Sequence, residues 1–318
     1  MLLRRFASDP RRERIWALDL GRDRIEELRL EQVAVVKDFY SWIDESDGSR
    51  SRDPWFEQWL GEGPEAEAGP ILDKLEAGLD PDPRDTTKLI VFLLLQTVRT
   101  TLGQALLRHE LQEQFRRIRE LMVTRRPGEA VMRIEQLFYR LKHREPTPEE
   151  RIDWYQRLAA EATGMAPPSE PSRNALITHI IRALYPVDAQ PLAAMAASCR
   201  LCRYGLERDR LVLSDAPATF ADLDHDGVIS DWTERPPRSL SLPISPRCMI
   251  ELRRADAGVP GADAWESHVE DLNERTWSWA ERWVFAAERD LLDSIRNERR
   301  RNPRSPLPAD IERHRRRR

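Results

Sequence analysis

The stretch RIWALDLGRDRIEELRL, residues 14–30, decides the fold class, because it reads as a β-hairpin in a chain that is helical in its middle. As a strand, the stretch places Trp16, Leu18 and Leu20 on one face. Gly21-Arg22-Asp23 supplies the turn, and a second apolar segment follows it. The hairpin therefore predicts a fold that combines strands with helices.

Apolar residues recur at three- and four-residue steps through the middle of the chain, which predicts long helices. Asp85 is the candidate N-cap of the first helix, which runs through Leu107 and on toward Val123. A second helix is predicted over 129–142. The segment Thr147-Pro148-Glu149-Glu150 has the cap, the proline and the capping-box glutamate of a third helix start.

Short strands return in the last third of the chain: CRLCRYG (199–205), RLVLSD (210–215) and CMIELRR (248–254). A last helix is predicted over 264–287, where large apolar residues form one helical stripe: Trp265, Val269, Leu272, Trp279, Trp283 and Ala286. The simplest closure pairs the N-terminal hairpin with the late strands in one sheet, packed against the helical body. We therefore expect a mostly helical α+β fold.

Positive charge is concentrated at the C-terminal end of the chain. Residues 296–318 hold ten arginines against three acidic residues, which gives this segment +7 and leaves −11 for the rest of a chain of net charge −4. We expect a single α+β domain over 1–290 and a basic, disordered tail over 291–318. The tail is either a solvated chain end or an arm that contacts nucleic acid or an acidic partner.

The composition indicates a protein of the reducing cytoplasm with no membrane partner. The 318 residues have a mean hydropathy of −0.63. The longest apolar run, Leu89–Leu95, is far shorter than the roughly 20 residues that span a bilayer. The N-terminus has arginines but no apolar signal segment. The chain has only three cysteines, an odd and small number that fits free thiols. The sequence does not determine an oligomeric state.

Four short segments occur in an order that is typical of one bacterial family: Leu3-Arg4-Arg5-Phe6-Ala7, Gln96-Thr97-Val98-Arg99-Thr100, Leu213-Ser214-Asp215-Ala216-Pro217 with Pro243-Ile244-Ser245-Pro246, and Leu272-Asn273. With them the chain resembles the domain-of-unknown-function 4238 family over roughly residues 2–290. The family pattern has a His-x-Val-Pro segment just before the first of these, and this chain begins too late to include it. The resemblance implies the fold rather than an activity, because the family carries no established biochemical role.

Asp215 is the first candidate for a site residue. It ends a strand, and a carboxylate at a sheet edge could act as a general base or a metal ligand. The alternative is that Asp215 accepts hydrogen bonds from turn amides. Arg99 lies beside the most apolar helical segment and needs a partner there. That partner is either a carboxylate, with Asp215 the candidate, or a bound anion.

The loop from Asp222 reads Asp-Leu-Asp-His-Asp-Gly-Val-Ile-Ser, which resembles the first half of an EF-hand loop. Asp222, Asp224, Asp226 and Ser230 stand at the oxygen-ligand positions of a site for Ca²⁺ or Mg²⁺. Thr233 occupies the place of the bidentate glutamate, so the alternative is an acidic turn between strands. No other cofactor is implied.

Two further patterns are short. Arg173-Asn174, followed by His179, is similar to the Arg-Asn-x4-His signature of HEPN ribonucleases, and the alternative is that His179 is an ordinary helix residue. Cys199 and Cys202 lack the second cysteine pair of a typical zinc site. On a strand, residues three apart point to opposite faces, which also argues against a shared metal.

Two functions fit these patterns. The first is a hydrolase-like enzyme acting on nucleic acid, whose site gathers Arg99, His179, Asp215 and Asn273. The second is a non-enzymatic binding or regulatory module that uses the basic tail as its contact arm. The enzyme hypothesis requires the end of the mid-chain helix to meet the end of the strand that carries Asp215.

Overall fold

A computed structural model describes the chain over residues 2–9, 11–33, 42–44, 51–53, 58, 60–98, 100, 112, 114–124, 126–142, 145–163, 196–221, 238–258 and 265–301. The helices are α1 (Leu2–Arg5), α2 (Ala66–Glu76), α3 (Pro83–Val98), α4 (114–123), α5 (Pro127–Lys142), α6 (Pro148–Ala162), α7 (Trp265–Trp279) and α8 (Arg289–Arg301). The strands are β1 (Arg14–Asp19), β2 (Arg24–Arg29), β3 (Trp42–Asp44), β4 (Ser51–Asp53), β5 (Cys199–Gly205), β6 (Leu213–Ser214), β7 (Thr219–Ala221), β8 (Ser239–Ser245), β9 (Cys248–Arg254) and β10 (Trp283–Ala286). The predicted α+β class, mostly helical, is confirmed.

The N-terminal hairpin is also confirmed, since β1 and β2 pair antiparallel along their whole length. The last residue of β1 closes the turn that follows it. Asp19 Oδ1 accepts hydrogen bonds from the backbone N–H groups of Gly21 (2.9 Å) and Arg22 (3.1 Å). Aspartate is favoured in turns for this reason, because its short side chain reaches amides two and three residues ahead.

The longer strands form two four-stranded sheets: the N-terminal hairpin shares a sheet with the late strands β10 and β6, as predicted, but the other late strands form a second sheet instead of joining it. The first sheet has the order β2-β1-β10-β6 and the second has the order β5-β9-β8-β7, while β3 and β4 form a separate pair. The predicted strands CRLCRYG and CMIELRR are β5 and β9, and they pair with each other in the second sheet. Alternation along a sequence shows which residues form strands, but it does not show which strands are partners.

The last predicted helix, 264–287, consists of two elements. Helix α7 ends at Trp279, and Trp283–Ala286 forms the strand β10. β10 lies between β1 and β6, with Trp16 opposite Ala286 and Leu213 opposite Phe285. The short apolar run fits a helical stripe by spacing alone, but its aromatic and β-branched residues favour a strand.

The predicted helix starts are close to those observed. At α6, Thr147 Oγ1 accepts a hydrogen bond from the Glu150 N–H (3.3 Å), and Glu150 Oε2 accepts one from the Thr147 N–H (3.0 Å). This reciprocal pair is the predicted capping box. The helix predicted from Asp85 begins at Pro83, and residues 101–111 of its predicted course lie outside the described residues.

Buried residues of α3, α7 and both four-stranded sheets belong to one hydrophobic cluster, which includes Leu93, Leu213, Ile250 and Leu272. The apolar run Leu89–Leu95 is buried throughout, as expected for a core helix. Across the described ranges, no helix combines the length and the apolar character that a membrane crossing requires.

A second, smaller cluster lies under α8. Leu292 and Ile295 are buried there with residues of β1 and β10. Helix α8 continues to Arg301, ten residues past the predicted start of the tail at residue 291. Residues 302–318 lie outside the described residues.

Candidate functional site

Two of the predicted site residues, Asp215 and Asn273, lie in the described part of the chain. The others lie outside it: Arg99, His179, Asp222, Asp224, Asp226 and Ser230. The roles assigned to those residues therefore stay predictions.

Asp215 directly follows β6, and its carboxylate binds three consecutive backbone amides. Oδ1 accepts a hydrogen bond from the N–H of Glu281 (2.9 Å), and Oδ2 accepts from the N–H groups of Arg282 (2.9 Å) and Trp283 (3.0 Å). The N–H of Asp215 in turn donates to the carbonyl oxygen of Trp283 (3.1 Å). Asp215 thus ties the end of β6 to the start of β10, which is the geometry of the turn-amide alternative.

Besides this structural role, the carboxylate of Asp215 can still bind a proton or a further hydrogen-bond donor. Burial raises the pKa of Asp215 from 3.8 to about 6 and outweighs the three amides, which favour the anion. A carboxylate has about four acceptor positions, so three amide donors leave room for one more. Asp215 can therefore accept a proton or a hydrogen bond from a group placed beside it.

Asn273, in α7, holds the backbone that leads into β6. Its Nδ2 donates to the carbonyl oxygen of Arg210 (2.7 Å), and its Oδ1 accepts from the N–H of Val212 (3.1 Å). Both ends of the amide are engaged with backbone groups. This arrangement favours a positioning role for Asn273 over contact with a reacting group.

A cleft of about 220 Å³ lies beside Asp215. Its polar lining comes from three parts of the chain: Glu65, Gln96, Thr100, Ser214 and Asp215. Gln96 lies near the end of α3, and Thr100 follows shortly after it. The end of the mid-chain helix and the end of β6 therefore line one cleft, although Arg99 itself is not among the described residues.

Acidic side chains at one end of the first sheet, where β1 stops and β2 begins, pair with two arginines. Arg282 donates to Asp19 Oδ2 through Nε (3.2 Å) and Nη2 (3.1 Å). Arg300, near the end of α8, pairs with Asp23 in the turn of the hairpin. The amide of Arg282 also binds Asp215. The C-terminal end of α8 and the carboxylate of Asp215 thus lie at the same end of the sheet, next to its two opposite edge strands, β2 and β6.

Two further arginines lie at this end of the sheet or next to it. Arg22 is exposed in the turn that carries Asp23, and Arg301 is exposed as the neighbour of Arg300. Within the part of the chain that the structure describes, neither forms an ion pair. Their charges are therefore available to an anionic partner.

A buried polar cluster lies in the second sheet, around the fully buried Glu251. Tyr204 Oη donates to Glu251 Oε2 (3.1 Å), Ser241 Oγ donates to Oε1 (3.0 Å), and Arg253 Nη1 donates to Oε2 (2.8 Å). From α7, His268 Nε2 lies 3.4 Å from Oε2. Five ionisable or hydroxyl side chains therefore meet in the interior.

Sequence reasoning missed the cluster around Glu251. Glu251 and Arg253 alternate with apolar residues along β9, and this pattern is typical of a strand with one solvated face. A signal was nevertheless present in β8, where Ser239 and Ser241 alternate in the same way. Small hydroxyl side chains can donate to a buried carboxylate, so the two polar faces could have been matched.

The described residues offer no evident metal centre. Among them, no three His, Cys, Asp or Glu side chains are grouped so as to hold a metal ion. The three cysteines are free thiols. The predicted Ca²⁺ or Mg²⁺ ligands of the aspartate-rich loop lie outside the described residues.

Comparison with known proteins identifies the family to which the chain belongs. No curated protein and no solved structure matches the chain. The model of the family described as "Protein of unknown function (DUF4238)" matches residues 1–290, a range that includes the four segments noted in the sequence. The chain therefore belongs to the DUF4238 family, as its resemblance predicted.

Proposed function

We propose that this protein binds nucleic acid through the basic segment that continues α8, as a non-enzymatic binding module. The main support is the pairing of Arg300 with Asp23, which places the C-terminal end of α8 at the end of the first sheet where β6 stops and Asp215 follows. The arginine-rich residues 302–318 follow this end directly. A phosphate backbone bound by them would run along this end of the sheet, on which Asp215 also lies.

The charge distribution supports one region of contact. The chain before residue 296 carries a net charge of −11, and the following segment carries +7. Phosphates are repelled by the acidic body and attracted by the basic end, where Arg22 and Arg301 add exposed charge. Contacts of this kind hold nucleic acid without reading its sequence.

The free thiols support a cytoplasmic location, which we propose for this protein. Cys202 and Cys248 are buried, and Cys199 is partly buried. Burial raises the pKa of the Cys248 thiol to about 11, so the thiol stays protonated and unreactive at neutral pH. Such cysteines are typical of a reducing compartment.

Deletion of residues 302–318 should weaken nucleic-acid binding and flatten its dependence on salt. The deletion removes six arginines and leaves Leu292 and Ile295, which anchor α8, in place. For single strands, each neutralised phosphate contributes about 0.7 to the slope of log affinity against log salt, so the slope should fall by about 4. This slope is measured by fluorescence anisotropy with a labelled strand of about 20 nucleotides. The salt concentration is varied from about 50 to 300 mM, roughly the range over which such contacts weaken.

Two tail variants serve as matched controls. Replacing the six arginines by lysine keeps the charge and should keep most of the slope, whereas replacing them by glutamine should reproduce the deletion. Absence of binding to DNA and RNA at low salt would contradict the proposal. An unchanged slope after deletion would contradict the role of the basic segment.

A hydrolase acting on nucleic acid is the second candidate, favoured by the pKa of about 6 at Asp215 beside a cleft. In this reaction Asp215 would take a proton from water while the water oxygen bonds to phosphorus. The bond from phosphorus to the leaving oxygen would break, and solvent would protonate that oxygen. The carboxylates of Glu65 and Asp215 both line the cleft and repel phosphate, which is why binding stands first.

If Asp215 is a general base, the rate of strand cleavage should rise with pH and level off above about pH 6, because only the ionised carboxylate accepts the proton. Labelled single strands of DNA and RNA are incubated between pH 4.5 and 8, a window of roughly two units around that pKa. Parallel reactions contain Mg²⁺, Mn²⁺ or EDTA, because a divalent cation is the cofactor that the aspartate-rich loop suggested. Intact strands in every reaction, or a rate without a step near pH 6, would eliminate this role.

A further inference from the structure

Gln96 lines the cleft, where its side-chain amide can meet a ligand. The residue is 6% exposed, and it lines the cleft with Ser214 and Asp215. Among the described residues, no hydrogen bond to this amide is formed. An amide that lines a cleft without protein partners is served there by water or by a ligand that supplies the missing hydrogen bonds.

The rest of the lining defines the chemistry of the occupant. Ser214 Oγ already donates to the Ala216 carbonyl oxygen (2.8 Å) and accepts from the Ala216 N–H (3.1 Å), so it has little to offer a ligand. Asp215 has one acceptor position left. The two carboxylates disfavour phosphate and favour a group with N–H donors.

Apolar walls and a small volume narrow the choice further. Leu2, Leu3, Phe92, Leu213 and Pro217 complete the lining. The cleft has a volume of about 220 Å³. Sites for drug-sized ligands measure roughly 300–1,000 Å³, so the occupant is smaller than a nucleotide. A small ring with two apolar faces and an edge that carries an amino group and an adjacent acceptor fits these limits.

We propose that the cleft holds one unpaired, amino-bearing nucleobase of a bound strand, with Gln96 recognising its edge. The amide of glutamine offers a donor and an acceptor side by side, which matches the adjacent acceptor and amino group of adenine. The acceptor left on Asp215 takes a second N–H. This inference rests on the nucleic-acid binding proposed above, in which the arginines hold the phosphates outside the cleft. Unpaired strands are favoured, because a base in a duplex must first leave its stack.

The test uses abasic strands, which carry phosphates without bases. The wild-type protein is titrated at one low salt concentration with a fully abasic strand and with the same strand carrying one central adenine. We expect about tenfold tighter binding of the adenine strand, the gain typical of a good side-chain pair to a base. Substitution Gln96→Met keeps the side-chain volume but removes the amide, and the two strands should then bind equally.

Matched variants keep the outcome interpretable. Gln156→Met alters an exposed glutamine of α6 and should keep the adenine preference. Leu3→Phe narrows the cleft without touching Gln96 and should also remove the preference, so the test stands even if Gln96→Met fails to fold. Circular dichroism checks that each variant is folded.

Failure of this inference can be told apart from failure of the proposed function. Equal binding of both strands by the wild type would leave the basic contact in place and overturn the base site. No binding of either strand would overturn both. Free adenosine that binds as tightly as the adenine strand would assign the cleft to a nucleoside and overturn its role in a strand.

Discussion

Replacing Glu251 by alanine is expected to lower the free energy of unfolding by about 3 to 5 kcal/mol, as breaking a buried ion pair typically does. The substitution leaves the guanidinium of Arg253 without its carboxylate, although that side chain is only 11% exposed. Tyr204 and Ser241 lose the oxygen to which they donate. One buried charge and two buried hydroxyl groups would then lose the carboxylate that they bind. Water cannot easily take its place in the interior.

The same carboxylate makes the stability sensitive to acid. Burial raises the pKa of Glu251, but the hydrogen bonds from His268 and Arg253 outweigh burial and hold the pKa below its ordinary value of 4.5. A carboxyl whose pKa is lowered by folding contributes stability above the unfolded value. That contribution is lost as the pH falls below about 4.5 toward the folded pKa.

Chemical denaturation at pH 7 and at pH 3.5, roughly one unit below the unfolded value, measures both effects. The wild type should lose stability in acid, and Glu251→Gln should lose less because it has no charge to neutralise there. Glu207→Ala removes an exposed carboxylate near β5 and should change the unfolding free energy by less than about 0.5 kcal/mol. A Glu251→Ala protein as stable as the control would show that the cluster around Glu251 is not a structural element.

Replacing Asp215 by alanine is expected to lower the free energy of unfolding by about 2 to 4 kcal/mol, since three hydrogen bonds are lost and one to a charged group typically contributes about 1.5 to 3 kcal/mol. Three consecutive amides, of Glu281, Arg282 and Trp283, lose their acceptor together. Asp215 is only partly shielded from solvent, so water can replace some of the lost bonds. The junction between β6 and β10 should loosen.

The free energy of unfolding that Asp215 contributes should fall as the pH rises, whereas the contribution of Glu251 falls as the pH drops. Folding raises the pKa of Asp215 from 3.8 to about 6, so the folded state binds the proton more tightly. The contribution of Asp215 to the stability of the folded state is then fully present below pH 3.8, and it is lost as the pH rises to about 6. The difference in stability between the wild type and Asp215→Ala should therefore be larger at pH 4 than at pH 7.

Denaturation of Asp215→Ala at both pH values, beside Asp80→Ala as an exposed control, measures this difference. An Asp215→Ala protein with wild-type stability would show that the three amides do not depend on the carboxylate. The expected loss also affects enzymology, because lost activity in Asp215→Ala could reflect a loosened β6–β10 junction. The pH profile of the wild type is for that reason the cleaner test of a catalytic Asp215.

Local patterns predicted the elements that depend on neighbouring residues. The turn after β1 is closed by Asp19, and the start of α6 by Thr147 and Glu150, all within three residues of their partners. The strand pattern at Trp283–Ala286 was misread, because four apolar residues fit a helical stripe until β1 and β6 are placed beside them.

The candidate site was predictable in part. The strand end at Asp215 and the helix end near Gln96 were both marked by the sequence, and they line one cleft. The amide partners of Asp215 lie 66 to 68 residues away along the chain, so the role of its carboxylate was left between two alternatives. The family-like segment that begins at Gln96 marked this helix end, but it gave the Gln96 amide no role, because an amide next to an apolar run shows nothing about its partners.

By itself, the sequence determined the mostly helical α+β class, the hairpin, the helix caps, the family and the concentration of charge at the C-terminal end. These features depend on residue type, on short-range spacing and on order along the chain. Only the tertiary structure decided the two separate sheets, the burial of Glu251 and the meeting of the Asp215 and Gln96 segments. Each of these brings together residues distant in the chain, and their pairing is selected by packing and by hydrogen bonds that exist only after folding.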